Sequence, residues 1–202
     1  MRIAHWTSAA PELHYHPSTI CTHAPGHGRP SEGMRPGTGR AFGSLGKGAT
    51  MDWMLFLTFL AACGAAATTG AMFEPGKWYD ALNKPVWTPP GIVFPLVWTA
   101  LYIAMSLAAM RIAQIEGSGQ ALAFWAAQIA FNTLWSPIFF GLRRMRAAMI
   151  IVSFLWVFVA ATMVSFWALD PVAGALFAPY LLWVTIAAAL NLSVLRRNPQ
   201  FA

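Results

Sequence analysis

The chain has 202 residues, of which 57% are apolar and only 10% charged, with a formal net charge of +6 and a mean hydropathy of +0.54. A water-soluble domain carries about 25% charged residues, so the composition excludes an ordinary soluble enzyme and points to a bilayer. The charges leave five long gaps, at 53–73, 92–112, 121–142, 147–169 and 172–195. Each is long enough to cross hydrocarbon, which takes about 17–25 residues. Because backbone groups in lipid must pair within their own segment, the expected fold class is all-α. The expectation is an integral membrane bundle of five transmembrane helices over 51–198, with a short C-terminal tail at 199–202.

Residues 1–50 form a different regime, rich in Gly, Pro, Ser, Thr and His, and they hold all five histidines: His5, His14, His16, His23 and His27. They offer too little apolar surface to offset ordering entropy, so a disordered tail is expected. Translation beginning at Met51, just before the first span, would account for the tail equally well. Without it the formal charge falls from +6 to +3. His14, His16, Cys21, His23 and His27 have no zinc-module spacing, and no metal site is expected. Cys63 reads as a small buried residue inside the first span. In the same span Ala62, Ala66 and Gly70 form a small face that packs within the bundle.

A connection at 74–91 leads into the most informative stretch, NKPVWTPPGIVFPLVWTALY at 83–102. Pro85, Pro89 and Pro90 keep the loop from becoming helix, and Gly91 permits a sharp turn. Pro95 lies deeper, where a proline can bend a helix. Phe94, Trp98 and Tyr102 follow at i, i+4 spacing and share a face. The third span puts Asn132, Trp135, Ser136 and Phe139 on one face, beside Pro137. The fifth aligns Trp183, Ala187 and Asn191, with Pro179 and Tyr180 above them. Intramembrane Asn needs a partner, so Asn132 and Asn191 read as hydrogen-bond glue between helices. Trp98 and Trp183 read as walls of a ligand pocket that face each other across it. Trp53, Trp78 and Trp167, near span ends, read as interfacial belts. On the third span Ala123, Ala127 and Ala130 lie at a spacing that lets two helices approach closely, so a homodimer is expected through them.

Lys77, Lys84, Arg143, Arg144, Arg146, Arg196 and Arg197 all fall on the side of the first loop. The positive-inside rule places that side and the C-terminus in the cytoplasm, and the N-terminus outside. The arginines read as marking topology and meeting lipid headgroups, while Lys77 and Lys84 could also attract acidic groups at a pocket mouth; no nucleic-acid partner is expected. Either membrane of a bacterial envelope is compatible with the pattern.

Four segments carry a resemblance: Trp87-Thr-Pro-Pro-Gly, Pro95-Leu-Val-Trp98-Thr-Ala-Leu-Tyr102, Asn132-Thr-Leu-Trp135-Ser-Pro-Ile-Phe139-Phe140, and Pro179-Tyr180-Leu-Leu-Trp183 running on to Ala187 and Leu190-Asn191. In this order they resemble the TspO/MBR family. It comprises the tryptophan-rich sensory proteins of bacteria and the translocator proteins, or peripheral benzodiazepine receptors, of mitochondria. The stretches AACGAAATTG and EGSGQALAF resemble alphaproteobacterial members. The resemblance covers about 51–198. It implies five helices around a cavity open toward the first loop, binding porphyrins such as protoporphyrin IX or haem, sterols in some members, and benzodiazepine-type ligands. Carried over, Tyr79, Phe94, Trp98, Asn132, Trp183 and Ala187 would line the cavity. Tyr102, Trp135 and Phe139, on the same stripes, join them as candidate ligand-binding residues. Leu192 stands where the family's sterol pattern has an aromatic, which weakens a sterol assignment.

Porphyrin is therefore expected as a ligand, with no cofactor required. The spans contain no paired carboxylates and no nucleophile–base pair, which disfavours hydrolytic catalysis. They contain no acid for proton coupling either, which disfavours active transport. A porphyrin-binding sensor or regulator of tetrapyrrole metabolism is the leading reading. A porphyrin or sterol transporter and a light-assisted oxidative degradation of protoporphyrin through Trp98 and Trp183 stand as alternatives.

Overall fold

A computed structural model describes residues 51–201. The histidines of the N-terminal segment, Cys21, Arg40 and Lys47 lie outside the described residues. Among the described residues the protein is all-helical: α1 Trp53–Met72, α2 Lys77–Asp80, α3 Val93–Ala113, α4 Gly119–Ser136, α5 Met145–Leu169 and α6 Pro171–Arg197, with a single 3-10 turn at Pro199–Phe201. Four of these are long and apolar enough to cross a membrane: α1, α3, α5 and α6. The remaining long helix, α4, is less apolar because it carries Gln120, Gln128 and Asn132.

Local chemistry sets the helix ends. Asp52 caps α1, its Oδ1 accepting from the Leu55 N–H at 3.1 Å. Asp170 caps α6 by accepting from the N–H groups of Val172 and Ala173, and Pro171 opens that helix where no N–H is needed. Pro95 is the third residue of α3, in the first turn, so it helps start the helix and does not occupy an interior bending position. Pro137 ends the regular part of α4, and a wider π-type turn, Pro137–Gly141, carries the chain to α5. Gly141 lets the Phe73 ring pack closely there, since a Cβ would lie 2.8 Å from that ring and displace it. Gly174 is needed for the tight α5–α6 turn, where a Cβ would meet the Trp167 backbone at 2.6 Å.

Three contacts show which segments share an end of the bundle. The Arg143 guanidinium lies 5.8 Å from the centroid of the Trp78 ring. Asn198, just past α6, accepts from the Asn83 N–H at 2.9 Å and donates to the Asn83 carbonyl at 3.1 Å. The α1–α3 connection, the α4–α5 turn and the end of α6 therefore lie together. At the opposite end Arg111, in the last turn of α3, pairs with Asp170 at 2.6 Å. The α4 helix thus runs between the same two ends as its neighbours. Of the α1 small face, Ala66 is buried, Ala62 is half-buried and Gly70 is exposed, so it packs inward only in part. Cys63 beside it is buried, and Thr69 donates to the Thr133 carbonyl of α4 at 3.2 Å.

Candidate functional site

The interior between α3, α4 and α6 is built from interleaved aromatics. Phe94, Trp98 and Tyr102 project from α3, each about one turn apart, and Tyr180 and Trp183 project from α6. Phe94 meets Trp183 edge-on, with ring centroids 5.6 Å apart. Trp98 stacks on Tyr102 at 5.3 Å and meets Tyr180 edge-on at 5.9 Å. Trp98 and Trp183 do not stack on each other among the described residues. Each is paired with a ring of the opposing helix, so the two indoles belong to one zipper.

A buried polar chain lies beneath these rings. The Tyr102 hydroxyl donates to Asn132 Oδ1 at 3.1 Å, Asn132 Nδ2 donates to the Tyr180 hydroxyl at 3.0 Å, and that hydroxyl donates to Gln128 Oε1 at 2.9 Å. Three helices are tied by this chain, and Asn132 is the interhelical glue expected of it. Tyr180 and Gln128 are fully buried. Gln128 did not stand out in the sequence. The signal was available, since it sits four residues before Asn132 on the stripe that also carries Trp125, Trp135 and Phe139.

Nearer the α1–α3 connection a second aromatic group forms. Trp135 stacks on Phe139 with centroids 5.0 Å apart and planes at 16°. Tyr79, held by the short α2, meets Phe139 at 6.3 Å and Phe140 at 5.4 Å. Leu82 plugs the same cluster, together with Met145, Leu190 and Val194, and Phe94 packs against it. Lys84 places its ammonium 4.4 Å from the centroid of the Tyr79 ring. Burial, and then the Asp80 carboxylate, push the Tyr79 hydroxyl above its usual pKa.

Of the sequence candidates, Tyr79, Phe94, Trp98, Tyr102, Asn132, Trp135, Phe139 and Trp183 thus join one column, with Trp135 packed against both of its halves. Ala187 is half-buried one turn beyond Trp183. Asn191 departs from expectation. It is 2% exposed, yet neither Nδ2 nor Oδ1 has a hydrogen-bond partner among the described residues. Asn198 was not foreseen, because its role depends on a loop more than a hundred residues away in sequence. A groove of about 320 Å³ on the outer side of α5, lined by Met163, Val164, Trp167 and Ala168, involves none of these residues.

This column of aromatics over a polar chain, in a bundle of apolar helices, coincides with the match to a family model. The model described as the TspO/MBR family aligns with residues 55–197. The chain belongs to the TspO/MBR family. Its relatives there include the tryptophan-rich sensory protein of Cereibacter sphaeroides, 66% identical over 148 residues, covering 73% of this chain and 94% of that protein. Protein CrtK of Rhodobacter capsulatus is 50% identical, covering 74% and 96% respectively. The human translocator protein is 33% identical, covering 72% and 91%. Family membership and the apolar helices together make this a multi-pass membrane protein. The TspO/MBR match takes in the whole aromatic column and leaves residues 1–54 outside it.

Proposed function

We propose that the protein is a membrane receptor for porphyrins that senses or regulates tetrapyrrole metabolism. The observation that carries this reading is the α3–α6 ring zipper, in which Trp98 and Trp183 sit among Phe94, Tyr102 and Tyr180. A porphyrin is a flat aromatic disc, and indole and phenol faces match it by offset stacking worth about 0.5–1.5 kcal/mol per pair beyond burial. Protoporphyrin IX is the expected ligand, with haem as an alternative. None of the lining residues Phe94, Trp98, Tyr102, Asn132, Trp135, Phe139 and Trp183 is a His or Cys, which favours holding a haem by its ring faces and carboxyl edge. Lys77 and Lys84 would meet that edge at the mouth. Porphyrins would enter by displacing the α1–α3 connection, which carries Tyr79 and Leu82. The sensory label of the Cereibacter relative agrees with this reading, and the translocator label of the human relative favours transport as the alternative. Leu192 argues against sterols.

The test is purified protein with protoporphyrin IX. Quenching of tryptophan fluorescence without turnover supports a receptor, flux into sealed vesicles a transporter, and loss of the Soret band an oxidative enzyme. Trp98→Phe should weaken binding by on the order of 1 kcal/mol, several-fold in affinity. The Trp98→Phe, Trp183→Phe pair should abolish any light-dependent bleaching, since phenylalanine supplies no indole radical. Trp87→Phe, on the exposed connection, is the control. Bleaching at the parental rate in the double variant would remove the tryptophan-centred chemistry.

The same proposal includes five crossings, with α4 as the third span, the C-terminus in the cytoplasm and the N-terminus outside. Support comes from the basic residues Lys77, Lys84, Arg143, Arg144, Arg146, Arg196 and Arg197, which belong to the segments gathered at one end. Cysteines placed at Lys84 and Arg144 should label from the cytoplasmic side, and one at Glu116 from the other. Labelling of Lys84 and Arg144 positions from opposite sides would end the five-span topology.

A further inference from the structure

Asn191 poses a specific problem. It lies within a membrane-spanning helix, 2% exposed, with both amide atoms unspent among the described residues. A buried amide without partners has given up its hydrogen bonds to water and gained none in exchange. Its direction follows from helix geometry. Tyr180 on α6 reaches Gln128 and Asn132 on α4, and both helices run toward the end that holds the α1–α3 connection. Asn191 follows Tyr180 by about three turns and so projects on the same side of α6, toward the interior. The same advance along α4 from Gln128 reaches Phe139. Leu190 and Val194, which flank Asn191, pack in the cluster that contains Phe139, with Trp135 against it. The indole N–H of Trp135 is likewise buried and unpartnered among the described residues.

We propose that Asn191, assisted by the Trp135 N–H, is a polar subsite that takes a carboxyl arm of a planar ligand in its neutral, protonated form. A carboxamide and a carboxylic acid pair reciprocally: Asn191 Nδ2–H donates to the acid carbonyl, and the acid O–H donates to Asn191 Oδ1. The acid is held neutral because the neighbours of Asn191 in this cluster, Leu190, Val194 and Phe139, are apolar, while Lys84 and Arg143 lie against the rings of Tyr79 and Trp78. One arm thus points into the bundle while the aromatic disc lies against the ring column. This subsite rests on the porphyrin reading and adds to it a neutral partner for one carboxyl arm, the other being left to Lys77 and Lys84 at the mouth.

The experiment compares two porphyrins, one bearing carboxyl arms and one bearing only alkyl groups, on the parent protein and on Asn191→Leu. In the variant the carboxyl porphyrin should lose roughly tenfold in affinity, while the alkyl porphyrin changes little. The ligand-free variant should also melt at a higher temperature, because an unsatisfied amide has been replaced by an apolar side chain of similar size. Trp135→Phe, which keeps the ring and removes the N–H, should discriminate in the same direction. Equal losses for both porphyrins would overturn the subsite and leave the porphyrin reading standing. A variant that melts lower or fails to fold would show that Asn191 has a structural partner, and would overturn it too. If the parent protein binds neither porphyrin, the porphyrin reading itself fails and this inference with it.

Discussion

Individual side chains in this bundle divide by whether their polar atoms are satisfied. Asn132 has spent both ends of its amide on tyrosine hydroxyls, while Asn191 has spent neither. The same residue type, each on a long helix of the bundle, therefore has a structural role in one case and unspent hydrogen-bonding capacity in the other. Asp170 is a well-satisfied charge, accepting from Arg111 and from the N–H groups of Val172 and Ala173. The hydrogen bond from Arg111 holds its carboxyl below the usual carboxylate pKa, against the effect of burial, and the N–H groups of Val172 and Ala173 assist. A carboxylate depressed in the folded state binds its proton less readily than in the unfolded chain. Its stabilisation is present above the ordinary value of about 3.9 and is lost as pH falls through the lower folded value. Asp170→Asn retains a capping side chain but not the charge. Thermal unfolding in detergent should therefore show the parent losing more stability than the variant as pH falls below about 4. Superimposable pH profiles would mean that the pair contributes nothing.

At the scale of elements, the α1–α3 connection is held by two different devices. Leu82 is buried in the cluster with Phe139, Met145 and Leu190. Asn198, 1% exposed, makes a reciprocal, peptide-like pair with the backbone of Asn83 and also donates to the Val194 carbonyl at 2.8 Å. By comparison, the Lys84–Asp80 ion pair, at 3.9 Å with Asp80 largely exposed, adds little. Removing the Asn198 side chain should therefore loosen the segment without unfolding the bundle. In Asn198→Ala the amides of residues 77–84 should exchange with solvent roughly tenfold faster, with α5 and α6 unchanged. If the exchange rates of that segment do not move, the latch has no role. Faster porphyrin association in the same variant would connect the latch to ligand entry.

For the whole molecule, the outward side of α4 bears on assembly. Ala123 and Ala130 are exposed and Ala127 is half-buried, while the adjoining flank of α4 is covered by α5 through Phe131 stacked on Phe154 and Phe158. The proposed homodimer pairs this small-residue side with its copy, where close approach substitutes van der Waals packing for lipid contact. Ala127→Phe should shift sedimentation in detergent from dimer toward monomer. An unchanged profile would move the interface elsewhere.

By itself the sequence determined the features that depend on local pattern: apolar length for the helices, charge placement for the ends, and residue spacing for the stripes that carry Phe94, Trp98 and Tyr102 or Asn132, Trp135 and Phe139. The TspO/MBR motifs were legible for the same reason, since each lies within one helix or at its start. Only the tertiary structure decided which stripe meets which. It put Tyr180 between Asn132 and Gln128, gave Phe94 to Trp183, and left Asn191 unspent where spacing alone had made it the equal of Asn132. It also brought Asn198 to Asn83 and Arg111 to Asp170, contacts between residues far apart in the chain. The physical reason is that helix periodicity sets the direction of a side chain, whereas a hydrogen bond needs a partner at about 2.9 Å. The height and rotation of the neighbouring helix supply that partner, and they come from packing across the whole bundle.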